Sequence, residues 1–311
     1  MERLLAGRDA LQLSGGGLKT LAFCGALEGV DMRRFRAIGG VSAGSVLALA
    51  FVLGYQPSEA GALFEQADLV RALAQTVSPF RALAEGSLFD QGPMLAVLAR
   101  WMRAKGFPAD GDFEALHRHT NGLSLRVVVC TTGSAPRLRV LDERTAAKVQ
   151  VLRAIKASTA VPLAFPPVQV SGDLCIDAGT LNNLSLFAVG ECPSKTLGLL
   201  AGRDHITRSL VPHCLSQLAA CGMDRMDLLV DAEIAATRAL VVRMPMVPGP
   251  DYHLFRLGDG SRADLERLTQ QGREAMQAAC SAPELATLLC VSVGLGLKPP
   301  DSREQEREQL P

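Results

Sequence analysis

Three short stretches of this 311-residue chain combine residue types that could do chemistry. Gly40-Val41-Ser42-Ala43-Gly44 matches G-x-S-x-G, the turn in which small residues beside a serine let a strand bend sharply into a helix. The bend exposes the Ser42 hydroxyl above a sheet and aims the helix N-terminus at it, which favours negative charge developing there. Ser14-Gly15-Gly16-Gly17-Leu18-Lys19-Thr20 is a glycine loop. Asp177-Ala178-Gly179 closes an apolar run with a carboxylate, where small neighbours let other backbone come close.

The glycine loop admits three readings, and spacing separates them. A phosphate loop ending in Lys19-Thr20 requires glycines at positions 18 and 13, which are leucines. A dinucleotide fingerprint starting at Gly15 requires glycine or alanine where Thr20 stands, and neither Glu28 nor Asp31 supplies the distant acid. The third reading is an oxyanion hole: Gly15, Gly16 and Gly17 turn backbone N–H groups towards one point, and Lys19 adds positive charge.

A serine nucleophile also needs a base. In α/β-hydrolases the serine turn follows several strands, and an acid and then a histidine come after it. Too little chain precedes Ser42 for such an upstream sheet. Chain order permits a triad of Asp177 with His205, His213 or His253, but none of these histidines lies in a small-residue loop. Asp177 acting directly on Ser42 makes a dyad. His117 and His119, two apart, do not share a helix face, so no metal site is expected. The eight cysteines form no C-x-x-C pair and read as buried free thiols in a reducing compartment.

The elements that must hold these residues read as α/β. Strand Ala10–Leu13 enters the glycine loop, which leads into a helix from Thr20 to about Val30. Strand Phe35–Ile38 enters the serine turn, and a helix, Ser45–Leu53, leaves it. Helices are expected at Pro57–Ala74, from an Asp90 N-cap to Gly106, at Ala146–Ser158, at about Thr207–Thr237 and at Asp264–Cys280. Strands are expected at Leu123–Cys130, Leu138–Leu141, Val168–Val170, Leu174–Ile176 and Thr196–Leu200, with an edge strand at Ala239–Met244.

Composition limits the function classes. With 48% apolar residues the chain has ample material for a core, and 32 basic residues against 32 acidic ones argue against nucleic acid as a partner. The start lacks the apolar run of an export signal, and Val46–Leu53 and Leu285–Leu297 fall short of the roughly 20 residues a spanning helix needs. A cytoplasmic protein is expected. No linker or repeat divides the chain, and the tail Lys298–Pro311 is expected to be disordered.

Taken in order, Gly15-Gly16-Gly17-Leu18-Lys19, Gly40–Gly44 and Asp177-Ala178-Gly179 resemble the patatin-like phospholipase family. The stretch from Ala157-Ser158-Thr159 to Pro166-Pro167 and the run Leu181-Asn182-Asn183 resemble it too. The resemblance implies a mostly parallel central sheet flanked by helices in three layers. It implies residues 1–8 as a lead, 9–282 as the catalytic domain with its motif-bearing core at 9–188, and 283–311 as an apolar, then charged, tail. The implied activity is a lipid acyl hydrolase working without a cofactor or metal through Ser42 and Asp177, with the Gly15–Gly17 loop and Lys19 as oxyanion hole, on phospholipid or glyceride esters.

Contact with lipid would be peripheral, around 77–89 with Phe80, Leu83, Leu88 and Phe89, residues that read first as core. Two departures stand out. Thr20 replaces a usual glycine, which would crowd the oxyanion loop, and Ala178 replaces the glycine after the aspartate, which restricts φ. They motivate one alternative, a catalytically weak or inactive lipid-binding relative.

Overall fold

The computed structural model describes residues 1–67, 87, 89–162, 164–189, 193–202, 228–237, 239–244 and 262–281. In chain order the elements are α1 (Glu2–Leu5), β1 (Ala10–Leu13), α2 (Leu21–Ala26), β2 (Ala37–Val41), α3 (Ala43–Val52), α4 (Pro57–Ala67), α5 (Gly92–Ala104) and α6 (Phe113–His119). They continue with β3 (Ser124–Thr131), β4 (Leu138–Leu141), α7 (Val151–Ser158), β5 (Val168–Val170), β6 (Asp173–Asp177) and β7 (Thr196–Leu200). A helical stretch at 228–237 (α8), β8 (Leu240–Arg243) and α9 (Arg262–Ser281) complete the described residues.

The eight strands form one sheet in the order β5-β6-β3-β2-β1-β7-β8, with β4 also on β3. β1, β2, β3, β7 and β8 run parallel; β4 and β6 run antiparallel to β3, and β5 antiparallel to β6. β1 and β7 are buried throughout, as central parallel strands covered on both faces must be. Alternation divides their side chains between two cores. Leu11, Leu13, Ile38, Val127, Val129, Leu197 and Leu199 pack towards the helices in the main cluster. On the opposite face, Leu184, Leu186, Leu200, Val230, Ile234 and Val241 form a second cluster under α8.

Helix α3 is buried along nearly its whole length, the pattern of a helix enclosed on all sides. Helix α2 follows the glycine loop and is braced by α9. A Cβ on Gly25 would overlap the Thr269 carbonyl, and one on Gly272 would overlap the Ala22 carbonyl, so these backbones touch because both positions lack side chains.

Most expected elements stand where the patterns place them, with four shifts. β2 starts at Ala37 and runs on through Gly39 and Gly40, which pair with both β1 and β3, and Gln12 and Val189 fill the space a side chain at 39 would take. α2 stops at Ala26, and Gly29 turns the chain with left-handed backbone at φ +76°. α7 starts at Val151 because Gln150 is extended and bridges Asp112. The α5 N-cap is Gln91, while Asp90 accepts the Gly92 N–H at 3.0 Å.

Phe89 is buried, its ring 5.9 Å from that of Phe165, so it belongs to the packing and not to a lipid-facing surface. Phe80, Leu83, Leu88, the expected helix positions 68–74 and 207–227, and the 283–311 tail lie outside the described residues. Among the described residues no helix is long and apolar enough to cross a membrane. Cys24, Cys130, Cys175 and Cys280 are free thiols, the first three buried.

Candidate active site

Ser42 sits between β2 and α3 with φ 54 and ψ −128, a left-handed conformation that costs a residue with a side chain on the order of 1–3 kcal/mol. The two flanking glycines are required by contact. A Cβ on Gly40 would overlap the Gly44 backbone, and one on Gly44 would overlap the carbonyls of Leu13 and Ser14. The turn is thus pressed against the end of β1, where the glycine loop begins. Ser42 is the N-cap of α3 but makes no side-chain cap. Its side chain lies by the Asp177 carboxylate instead and pulls that group's pKa down.

Strand register explains that meeting. Val41 pairs with Val128 of β3, and Asp177 pairs with Val129. β4 occupies one edge of β3 from Val127 to Cys130. Both β2 and β6 therefore lie on the other edge, and their C-terminal ends face each other there. Cys175 packs in the helix-side core, and Asp177, two residues on, projects to the same face, towards α3.

Asp177 is 3% exposed. Burial pushes its pKa up to about 6, against the opposing pull of the nearby Ser42 side chain and of the Gly179 N–H, which donates to Oδ1 at 2.7 Å. Such a carboxylate is ionised at neutral pH yet more basic than an exposed one, the combination a general base requires.

The end of α7 holds both partners. The Ser158 hydroxyl accepts the Ser42 N–H at 3.0 Å and donates to the Val128 carbonyl at 2.7 Å, filling the gap where Ser42 leaves the β2–β3 ladder. Two residues on, the Ala160 carbonyl accepts the Asp177 N–H at 3.0 Å. The Ala157–Pro167 stretch carried the family resemblance without a role attached to Ser158. Its position at a helix end gave no sign of the bond to Ser42, 116 residues away.

The glycine loop faces the serine: a Cβ on Gly15 would stand 3.0 Å from the Ser42 Cβ and 2.5 Å from Asn183 Oδ1. Gly15 itself donates its N–H to the Asn183 carbonyl at 3.1 Å. No hydrogen bond among the described residues engages the N–H of Gly16 or Gly17. Lys19 directs its ammonium to the Gly202 carbonyl at 3.0 Å, tying the loop to the end of β7. Thr20 does not crowd the loop; its hydroxyl donates to the Gly17 carbonyl at 2.8 Å. Ala178 is buried against Val41, Val128 and Ala188 and is absent from the residues with positive φ, so a glycine's freedom is not used there.

Of the histidines, His117 and His119 end α6 just before β3 begins, at the opposite end of that strand from Val129, and His119 Nε2 lies 3.1 Å from the Lys105 carbonyl. His205, His213 and His253 lie outside the described residues. Among the described residues no group of three or more His, Cys, Asp and Glu could hold a metal ion.

The arrangement sets a serine hydroxyl beside a buried carboxylate, with the glycine loop close to the serine. Among curated proteins the chain is similar to the uncharacterized protein YqhO of Bacillus subtilis (strain 168), 28% identical over 193 residues that cover 56% of this chain and 64% of the relative. It is similar to the probable lipid hydrolase 463L of Invertebrate iridescent virus 6, 24% identical over 179 residues, 57% of this chain and 61% of the relative. Each match spans less than two thirds of the relative's own length. Among solved structures, VipD from Legionella pneumophila is 16% identical with a TM-score of 0.48, covering 88% of this chain and 67% of that one. The sequence model for "Patatin-like phospholipase" matches residues 11–189, more than half of the chain and the whole path from β1 through the serine turn to Asp177 and Asn183. This chain belongs to the patatin-like phospholipase family.

Proposed function

We propose that this chain is a lipid acyl hydrolase that cleaves carboxylic esters of phospholipids or glycerides through Ser42 and Asp177. The observation that carries the reading is the strained Ser42, set by strand register beside a carboxylate that burial has made more basic. The lipid class is supported by family membership and by the lipid hydrolase named among the relatives.

In this reading Asp177 takes the Ser42 hydroxyl proton as Oγ forms a bond to the ester carbonyl carbon. The carbonyl oxygen becomes an oxyanion, stabilised by the Gly16 and Gly17 N–H groups and by those of Ala43 and Gly44 at the start of α3, whose third N–H, on Ser45, is taken by the Ser42 carbonyl. Collapse breaks the bond to the leaving alcohol, which receives the proton from Asp177. Water then gives a proton to Asp177 and attacks the acyl-Ser42 carbon; the fatty acid leaves and Ser42 Oγ recovers its proton. The bound Gly15 N–H is not among these donors, and Lys19 holds the loop through Gly202 and adds its charge from the rim.

The alternative, a weak or inactive lipid-binding relative, drew on Thr20 and Ala178. Both are accommodated without strain, so neither favours it. The test is to incubate the purified chain with a fluorophosphonate probe, map the labelled peptide, and assay a soluble short-chain ester. Label on the Ser42 peptide with ester turnover is expected; an unlabelled, inactive chain refutes the reading.

A further inference from the structure

Asn183 holds Gly15 by both of its backbone polar groups: the Asn183 carbonyl accepts the Gly15 N–H at 3.1 Å, and Asn183 Nδ2 donates to the Gly15 carbonyl, also at 3.1 Å. Its Oδ1 fills the space that a Cβ on Gly15 or on Gly179 would take. One carboxamide is thereby wedged between the glycine loop and the loop that donates to Asp177. The turn presenting it is held in its own right. Asn182 Oδ1 accepts the N–H groups of Leu184 and Ser185 at 2.9 and 2.7 Å. Asn182 Nδ2 donates to Glu233 Oε2 at 2.7 Å, and the Phe187 N–H donates to Glu233 Oε1 at 2.9 Å. Glu233 stands on α8, beyond the segment matched by the family.

We infer that Asn183 is a positioning residue that sets the glycine loop against Ser42, and that Glu233 positions Asn183 by holding its turn from α8. The inference rests on the proposed hydrolase reading. A glycine loop has no side chains with which to fix its own path, and Gly17 adopts φ 57. Its N–H groups stay in place only if neighbouring groups hold the backbone, and Asn183 bonds the first glycine on both sides. Glu233 must be a carboxylate for its part, because both of its partners are donors; an amide would turn its NH₂ towards one of them.

The test compares wild type, Asn183→Ala and Glu233→Gln on a matched pair of soluble esters, one with C=O and one with C=S at the reacting carbon, with thermal melts alongside. Sulfur accepts hydrogen bonds poorly, so the oxygen-to-sulfur rate ratio reports how well the donors are placed. Asn183→Ala is expected to lower kcat about 10- to 100-fold at nearly constant KM and to shrink the ratio. Glu233→Gln, remote from the reacting atoms, is expected to move both in the same direction by a smaller factor. Unchanged kcat, or a fall in rate with the ratio intact, overturns the inference and leaves Asn183 with a stabilising role alone. Should Asn183→Ala melt below the assay temperature, Glu233→Gln decides by the same criterion. A wild-type chain that neither turns over the oxygen ester nor takes the fluorophosphonate overturns the hydrolase reading itself, and this inference with it.

Discussion

Ser42 and Asp177 meet because two strands share one edge of a third: Val41 ends β2 beside Val128, and Asp177 ends β6 beside Val129. Val41 and Asp177, 136 positions apart in sequence, are thereby set at consecutive rungs of one strand, with Ser42 next after Val41. The separation of the proposed nucleophile and base is set by the ladder, with Ser42 one residue beyond its last rung on β2.

Ser42→Ala should abolish ester hydrolysis while leaving the melt near that of wild type. Methyl for hydroxymethyl keeps the turn's shape and removes the atom proposed to form the acyl bond. A fall on the order of 10⁶ in kcat is expected, read on a soluble short-chain ester. Substantial residual turnover in this variant would show that another residue carries the chemistry.

The acidic limb of kcat/KM should follow Asp177. With its pKa pushed up to about 6, the rate should drop tenfold per pH unit below that value and plateau above it. A limb that vanishes on replacing a histidine, in a variant that melts like wild type, would assign the base elsewhere.

Asp177→Asn should kill activity and stabilise the fold at alkaline pH. The ordinary value is 3.8 and the native one about 6, so between them the native chain holds a proton that the unfolded chain has released. Stability contributed by the protonated group is complete below the lower value and is lost as pH rises through the window. The asparagine variant should therefore exceed wild type by up to about 3 kcal/mol near pH 8, the gap narrowing towards pH 4 in denaturant titrations. A variant less stable than wild type at both pH values would contradict the burial argument.

Gly15→Ala and Gly44→Ala should fail in different ways. At Gly15 the new methyl meets a side-chain oxygen and the Ser42 Cβ, which displaces the loop and costs activity more than stability. At Gly44 it meets backbone carbonyls of Leu13 and Ser14, which cannot yield without parting α3 from β1. Soluble yield and melting temperature separate the two; equal melts would be inconsistent with this packing.

Ser158→Ala strips the partner from the part-buried Ser42 N–H and the buried Val128 carbonyl. A stability loss of about 1–3 kcal/mol is expected, together with a lower kcat, because the strained turn loses the bond that holds its backbone. An unchanged kcat in the folded variant would limit Ser158 to a structural part.

The sequence by itself determined the local units: the glycine loop after β1, the serine turn after β2, the hairpin ending in Asp177, and the strands Ala10–Leu13, Leu138–Leu141 and Thr196–Leu200 at their observed bounds. These are legible because they depend on residues near in sequence, on alternation and on glycines that only tight turns require. The tertiary structure decided the rest. That Asp177 would reach Ser42 follows from which edge of β3 each strand joins, and edge choice leaves no trace in spacing. That Ser158 and Asn183 would bond the serine turn and the glycine loop follows from contacts spanning 116 and 168 positions. That Gly15 would give its N–H to a carbonyl follows from the same contact, since a glycine pattern shows that backbone can approach closely but not what approaches it.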